Sequence, residues 1–100
     1  MSSPETTSRS WQFLTSHTQV LLALHRQPDA RLRDVADTVG ITERATQRIV
    51  NDLVATGYLE RERVGRRNRY VLNTERRMRH PEQFEHEIGE LLDVLHGPPA

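Results

Sequence analysis

Two groups of polar side chains in this 100-residue chain have the types and spacing for recognition chemistry. The first is Glu43, Arg44, Gln47, Arg48 and Asn51, directly after Thr42. Thr46, Ile49, Val50 and Leu53 recur at i, i+3, i+4 and i+7 through the same stretch, so they form the buried face of a helix and leave the polar set outside. Long planar donors and acceptors on one exposed helix face suit hydrogen bonding to base edges and phosphates. The second group is Gly65, Arg66, Arg67, Asn68 and Arg69, which brings three guanidinium groups together within five residues. At an exposed chain reversal such a cluster suits phosphate or minor-groove contact.

The elements that must position these groups follow from local pattern. Val35, Ala36 and Val39 make one short helix, and Gly40 follows where a residue free to take positive φ lets the chain turn sharply. Ile41 plugs the turn into the core. Thr42 is a good N-cap, so the second helix is expected to begin there, with small Ala45 allowing close contact with the first. Gly57 supplies its C-terminal stop. Beyond Gly57 the period shifts from 3.6 toward 2, with Leu59 on one strand and Tyr70 and Leu72 on the other facing the core across a turn at Gly65 to Asn68. The predicted order is helix, turn, helix, β-hairpin.

Charge supports the same surface. The chain has no net charge, yet all fourteen basic residues are arginine and precede residue 81, leaving that stretch at +5, while Glu82, Glu85, Glu87, Glu90 and Asp93 put −5 on the remainder. Residues 61–79 hold eight arginines against Glu62 and Glu75. Attraction to phosphate depends on local clusters of this kind. A charge run is often only a solvated face, but this one coincides with the hairpin.

Other chemistries find little support. There is no Gly-rich phosphate loop after a strand, no cysteine, and no serine set with a histidine and a carboxylate; His25 and Asp29 are the only passable acid–base pair. An enzyme is not expected. Glu82 with His86, His86 with Glu90, and Asp93 with His96 each stand one turn apart, but no three or four ligands converge, so neither a metal site nor a cofactor is expected. Lack of cysteine also removes disulfides and thiolate ligands.

Flanking helices are expected on both sides. Trp11 to about Gln27 carries Phe13, His17, Val20, Leu21 and Leu24 on one stripe, with His17 read as a hydrogen-bonded core or interface histidine. Residues 81–96 carry Phe84, Ile88, Leu91, Leu92 and Leu95 on another, with Pro81 at the helix start and Glu82 and Glu85 near its positive end. A domain of this size has little core left for a stripe beyond the hairpin, so that stripe is expected to meet a second chain. The expected dimer interface is therefore Trp11, Phe13, His17, Phe84, Ile88, Leu91, Leu92 and Leu95; packing back on the first helix is the other arrangement. Gly89, inside the terminal helix, either permits close helix approach or is an ordinary surface glycine. One domain over residues 10–96 is expected, between disordered ends at 1–9 and 97–100. With no apolar run long enough to span a bilayer and no apolar signal core, the chain is expected in the cytoplasm, away from membranes.

The run VADTVGITERATQRIVNDLVATGYLERERVGRRNRYVL resembles the small bacterial winged-helix transcriptional regulators of the MarR and ArsR type. Ala36 four residues before Gly40, the Thr42 cap, Leu53 before the helix end, and the Gly57–Tyr58 pair all stand in family positions, and the likeness covers about residues 11–96. The hairpin looks more ArsR-like than MarR-like. Arg33 departs from the pattern at the start of the first motif helix, and the cysteine motifs of metal-sensing members are absent. The resemblance implies a mainly α fold with a small β-hairpin wing, a winged helix-turn-helix with N- and C-terminal flanking helices. It further implies a homodimer binding a double-stranded operator as an imperfect palindrome, with residues 42–51 as recognition helix, residues 66–69 as wing, and room for an unidentified small-molecule effector. The contrasting reading is a winged-helix module docking on an acidic protein. A docking face would more often expose aromatic or aliphatic anchors than Arg44, Gln47 and Arg48, which favours nucleic acid.

Overall fold

The structure, a computed structural model, describes residues 11–96; the expected tails at 1–9 and 97–100 lie outside the described residues. The elements run α1 (Ser16–Arg26), α2 (Leu32–Val39), α3 (Glu43–Ala55), β1 (Leu59–Val64), β2 (Arg67–Leu72), one 3₁₀ turn (Pro81–Gln83) and α4 (Ile88–His96). This is a winged helix. No helix among the described residues is long and apolar enough to cross a membrane.

Helix α1 starts later than its apolar stripe predicts. Thr15 adopts an extended conformation and its hydroxyl accepts the Thr18 amide at 3.2 Å, so the cap sets the start at Ser16 and leaves Trp11 and Phe13 outside the helix. Those two rings stack edge to face at 4.8 Å and stay exposed, Phe13 by 91%. The helix ends before Pro28, whose ring disfavours helical backbone in the residue ahead of it. Helix α2 has Arg31 rather than a small polar residue as its N-cap, and no side chain caps it; Arg33 sits inside the first turn beside Asp34.

The helix-turn-helix follows local chemistry closely. Gly40 takes φ 88°, the left-handed conformation that a side chain disfavours, and reverses the chain between α2 and α3. Thr42 stands just ahead of α3, its hydroxyl accepting the Ala45 amide at 3.0 Å. At the other end the Tyr58 amide bonds to the Leu53 carbonyl and the Gly57 amide to the Val54 carbonyl, with Gly57 at φ 88°. This is a Schellman closure, which satisfies carbonyls that the helix end leaves open.

Strands β1 and β2 pair antiparallel from Leu59↔Leu72 to Val64↔Arg67. The loop is two residues, Gly65 and Arg66, shorter than the expected Gly65–Asn68 turn. Positive φ at Gly65 with negative φ at Arg66 is the II′ geometry that matches strand twist. Arg67, Asn68 and Arg69 are therefore strand residues. The outer edge of β2 is held by the α1–α2 loop, where the Tyr70 amide bonds to the Pro28 carbonyl at 3.1 Å.

One apolar cluster joins Val20, Leu21 and Leu24 of α1, Val35, Ile49, Val50 and Leu53 of the helix-turn-helix, Leu59 and Tyr70 of the wing, and Ile88 and Leu92 of α4. The last two correct the expectation of a terminal stripe without cover in its own chain. Leu92 is 0% exposed, Leu91 and Leu95 pack partly buried against the cluster, and α4 lies on α1. The expected helix over 81–96 also shortens. The Met78 amide bonds to the His86 carbonyl at 3.0 Å and the Ile88 amide to the Arg76 carbonyl at 2.8 Å, so residues 81–87 form a loop closed by an Arg77↔Glu87 bridge. Phe84 sits on that loop, off the helix and exposed. Gly89 does permit a close approach, though to a loop rather than a helix: a β-carbon there would meet the Thr74 carbonyl oxygen at 2.8 Å.

Candidate nucleic-acid interface

Helix α3 buries Thr46, Ile49, Val50 and Leu53, and exposes Glu43, Arg44, Gln47, Arg48 and Asn51. Among the described residues Thr46 is the one buried polar side chain apart from the two tyrosines, and its hydroxyl donates to the Thr42 carbonyl at 2.9 Å. That bond removes the cost of burying an unpaired hydroxyl. Thr42 caps α3 through its hydroxyl oxygen. The exposed set divides into two rows. Glu43, Gln47 and Asn51 face the wing across a groove of about 630 Å³. Arg44 and Arg48 lie outside that groove and, among the described residues, make no hydrogen bond or ion pair.

The far wall of the groove belongs to the core-side face of the wing. Direct cross-strand partners share a face, so Leu59, Arg61 and Arg63 of β1 point the same way as Leu72, Tyr70 and Asn68 of β2. Leu59 and Tyr70 enter the core, and Arg61, Arg63 and Asn68 continue outward along the groove. Arg61 Nη2 donates to Asn51 Oδ1 at 3.1 Å, and Gln47 Nε2 donates to the same oxygen at 3.2 Å. The Arg61 guanidinium also lies 5.9 Å from the centre of the Tyr70 ring. Arg63 turns back on the hairpin, its Nε donating to the Gly65 carbonyl at 3.0 Å. Arg61 and Arg63 were not among the expected site residues. Their signal was the two-residue period from Leu59, which puts both on the core side.

Of the four expected wing residues, Arg66 alone occupies the tip, exposed. Arg67 Nη2 donates to the Asp29 carbonyl at 2.6 Å, and Arg69 Nε lies 3.5 Å from Asp29 Oδ1. Two of the three guanidinium groups are thereby tied to the α1–α2 loop. Asn68 lines the groove.

His17 is not a core histidine. It sits in the first turn of α1, with 48% of its side chain exposed, and its Nε2 donates to Asp52 Oδ2 at 2.9 Å, which links α1 to α3. The reason is geometric: at the first turn of α1 the apolar stripe has run beyond the core. At the C-terminal end, His86 Nδ1 donates to Glu90 Oε1 at 2.9 Å while Glu90 Oε2 accepts the Glu87 amide at 3.1 Å. These bonds, the histidine first, hold the Glu90 carboxyl below its ordinary pKa. His86 and Glu90 thus form a helix-capping pair. No group of three metal-ligating side chains converges among the described residues, and the Asp93–His96 pairing lies outside the described side chains.

A model described as MarR family matches residues 11–69, more than half of the chain and all of the helix-turn-helix. The chain belongs to the MarR family. That assignment reaches Arg69 and so takes in β1, the turn and the first half of β2, despite the ArsR-like sequence of the wing. Among solved structures the chain is similar to the PcaV transcriptional regulator from Streptomyces coelicolor, determined in complex with its natural ligand. The identity is 24%, the similarity covers 87% of this chain and 63% of PcaV, and the TM-score is 0.52. This MarR-family chain therefore shares the fold of PcaV while spanning less than two thirds of its length. No curated protein matches the chain.

Proposed function

We propose that this MarR-family chain acts as a homodimeric, sequence-specific regulator of double-stranded DNA, with α3 in the major groove and the wing on the backbone or minor groove. The observation that carries the proposal is the free row of Arg44 and Arg48 on α3, next to a groove lined by Gln47, Asn51, Arg61 and Asn68. Free guanidinium groups can reach phosphates or guanine edges, and carboxamides in a groove can read bases. For the dimer, the exposed Trp11, Phe13, Phe84 and Val94 replace the buried Ile88 and Leu92 as contact candidates, joined by the half-buried edges of Leu91 and Leu95. PcaV was determined with its natural ligand. The corresponding proposal here is an effector in the cavity of about 680 Å³ bounded by His17, Leu21, Asp52, Tyr58, Met78 and Arg79, where a ligand would bear on α3 through Asp52.

A dimer of this shape reads half-sites with centres about 10 base pairs apart, or a multiple of that. The test is a salt titration of operator and random duplexes. Replacing Arg44 or Arg48 by alanine is expected to cost about 1–3 kcal/mol on the operator and to lower its preference over random DNA. Arg66→Ala is expected to weaken both duplexes alike and to flatten the log–log salt slope by about one. Wild-type-like binding by the Arg44 and Arg48 variants together would overturn the recognition-helix assignment and favour docking on an acidic protein.

A further inference from the structure

We infer that Arg61 is a positioning residue that makes Asn51 a donor-only reader and so sets a preference for guanine over adenine at the base pair Asn51 meets. The inference rests on the reading that α3 enters the major groove. A carboxamide offers one oxygen with two lone pairs and one nitrogen with two hydrogens. Against adenine, an asparagine uses both ends, accepting from N6 and donating to N7. In this chain Asn51 Oδ1 already receives Arg61 Nη2 at 3.1 Å and Gln47 Nε2 at 3.2 Å, so both of its lone pairs are engaged. What Asn51 presents outward is its Nδ2 amide. Against adenine N6 that amide meets another donor; against guanine it meets the O6 and N7 acceptors.

Arg61 is fixed well enough to impose this. It stands directly across the ladder from Tyr70 and lies over its ring at 5.9 Å. Tyr70 is itself buried, and its amide bonds to the Pro28 carbonyl. Gln47, one turn before Asn51, gives its amide to the same oxygen and keeps its own Oε1 free as an acceptor, so neighbouring positions on α3 present opposite polarity.

The experiment is a competition titration in which every operator position is changed to each base pair, for the full chain and for Arg61→Met, Arg61→Lys, Asn51→Ala and the Arg61→Met/Asn51→Ala double variant. Methionine keeps an apolar stem over Tyr70 without a donor, whereas lysine keeps a donor. Arg61→Met is expected to shift one position in each half-site from guanine toward adenine by roughly 5- to 150-fold, the range of one bidentate pair, and to leave the other positions within about twofold. Arg61→Lys should keep the guanine preference. In the Asn51→Ala background Arg61→Met should move no preference. An unchanged preference profile for Arg61→Met would overturn the inference. So would a uniform loss on all sequences with a salt slope lower by about one, which would make Arg61 a phosphate contact. A parent chain with no base preference at any position would instead sink the DNA-readout proposal, and this inference with it.

Discussion

Replacing Leu92 by alanine separates a terminal helix that completes its own chain's core from one that serves only a partner. Leu92 is fully buried on α4 and belongs to the cluster that includes Val20, Leu21 and Leu24 of α1. The substitution removes three carbon groups, worth about 2.4 kcal/mol of transfer free energy at about 0.8 kcal/mol per group. A residual cavity adds to this, so the expected loss is about 3–4 kcal/mol, within the usual range for a buried leucine. Set against a typical domain stability of about 5–15 kcal/mol, that is a large fraction. With a urea slope of about 1–3 kcal/mol per molar, the midpoint should fall by about 1–4 M. Urea unfolding followed by far-ultraviolet circular dichroism, at two protein concentrations a hundredfold apart, gives the number. Asp93→Ala is the control, because Asp93 is exposed on the same helix and its loss should leave the core intact. A Leu92→Ala loss below about 1 kcal/mol, or one that vanishes as protein concentration rises, would refute the self-covering reading and return Leu92 to a partner interface.

Three further outcomes follow from particular contacts. Gly89→Ala should destabilise by about 1–3 kcal/mol despite the better helix propensity of alanine, because its β-carbon would press on the Thr74 carbonyl at 2.8 Å; a neutral or stabilising result in urea would show that the Thr74 loop yields freely. Asp29→Asn keeps the carbonyl that holds Arg67 and releases Arg69. It should change stability by less than about 1 kcal/mol, since the pair is exposed, while random-duplex affinity rises and the salt slope steepens by up to about 0.9; an unchanged slope would place Arg69 away from phosphate. Because the Glu90 carboxyl is held below its ordinary pKa by His86 and the Glu87 amide, its contribution is present above the unfolded glutamate value of about 4.3 and is lost as pH falls through the lower folded value. Glu90→Gln should therefore flatten the fall in urea midpoint below about pH 4.3. An identical acid limb in the two proteins would remove Glu90 as its source.

The parts of the fold legible in the sequence are those fixed within about four residues. Thr42, Gly40 and Gly57 act through bonds to their immediate neighbours, and the 3.6-residue repeat of Thr46, Ile49, Val50 and Leu53 depends on nothing distant. The starts of α1 and α4 both lie later than their apolar stripes predict. At α1 a local signal was outweighed by a pattern: Phe13 extends the apolar stripe, but the Thr15 cap fixes the start beyond it. At α4 the local signal, Glu90 capping the Glu87 amide, is reinforced by bonds between Met78 and His86 and between Arg76 and Ile88 that delay the helix, and pairing at that separation has no periodicity to read.

The candidate site was legible in its residue types and less so in its geometry. A run of arginines announces attraction to phosphate, but it does not say which guanidinium groups are free. Arg67 and Arg69 are held by Asp29, a residue read only as half of a weak acid–base pair and standing 38 positions from Arg67 along the chain. Arg61 was one charge among eight in the basic stretch until the β1–β2 register put it opposite Tyr70 and within reach of Asn51. Charge therefore locates the surface, while strand register and loop contacts divide its arginines between two tasks. Arg44, Arg48 and Arg66 are available to a polyanion, and Arg61, Arg67 and Arg69 brace the hairpin against α3 and the α1–α2 loop. A hairpin held at both walls keeps a constant distance from the recognition helix, which is what two elements must do if they are to meet one duplex in a single register.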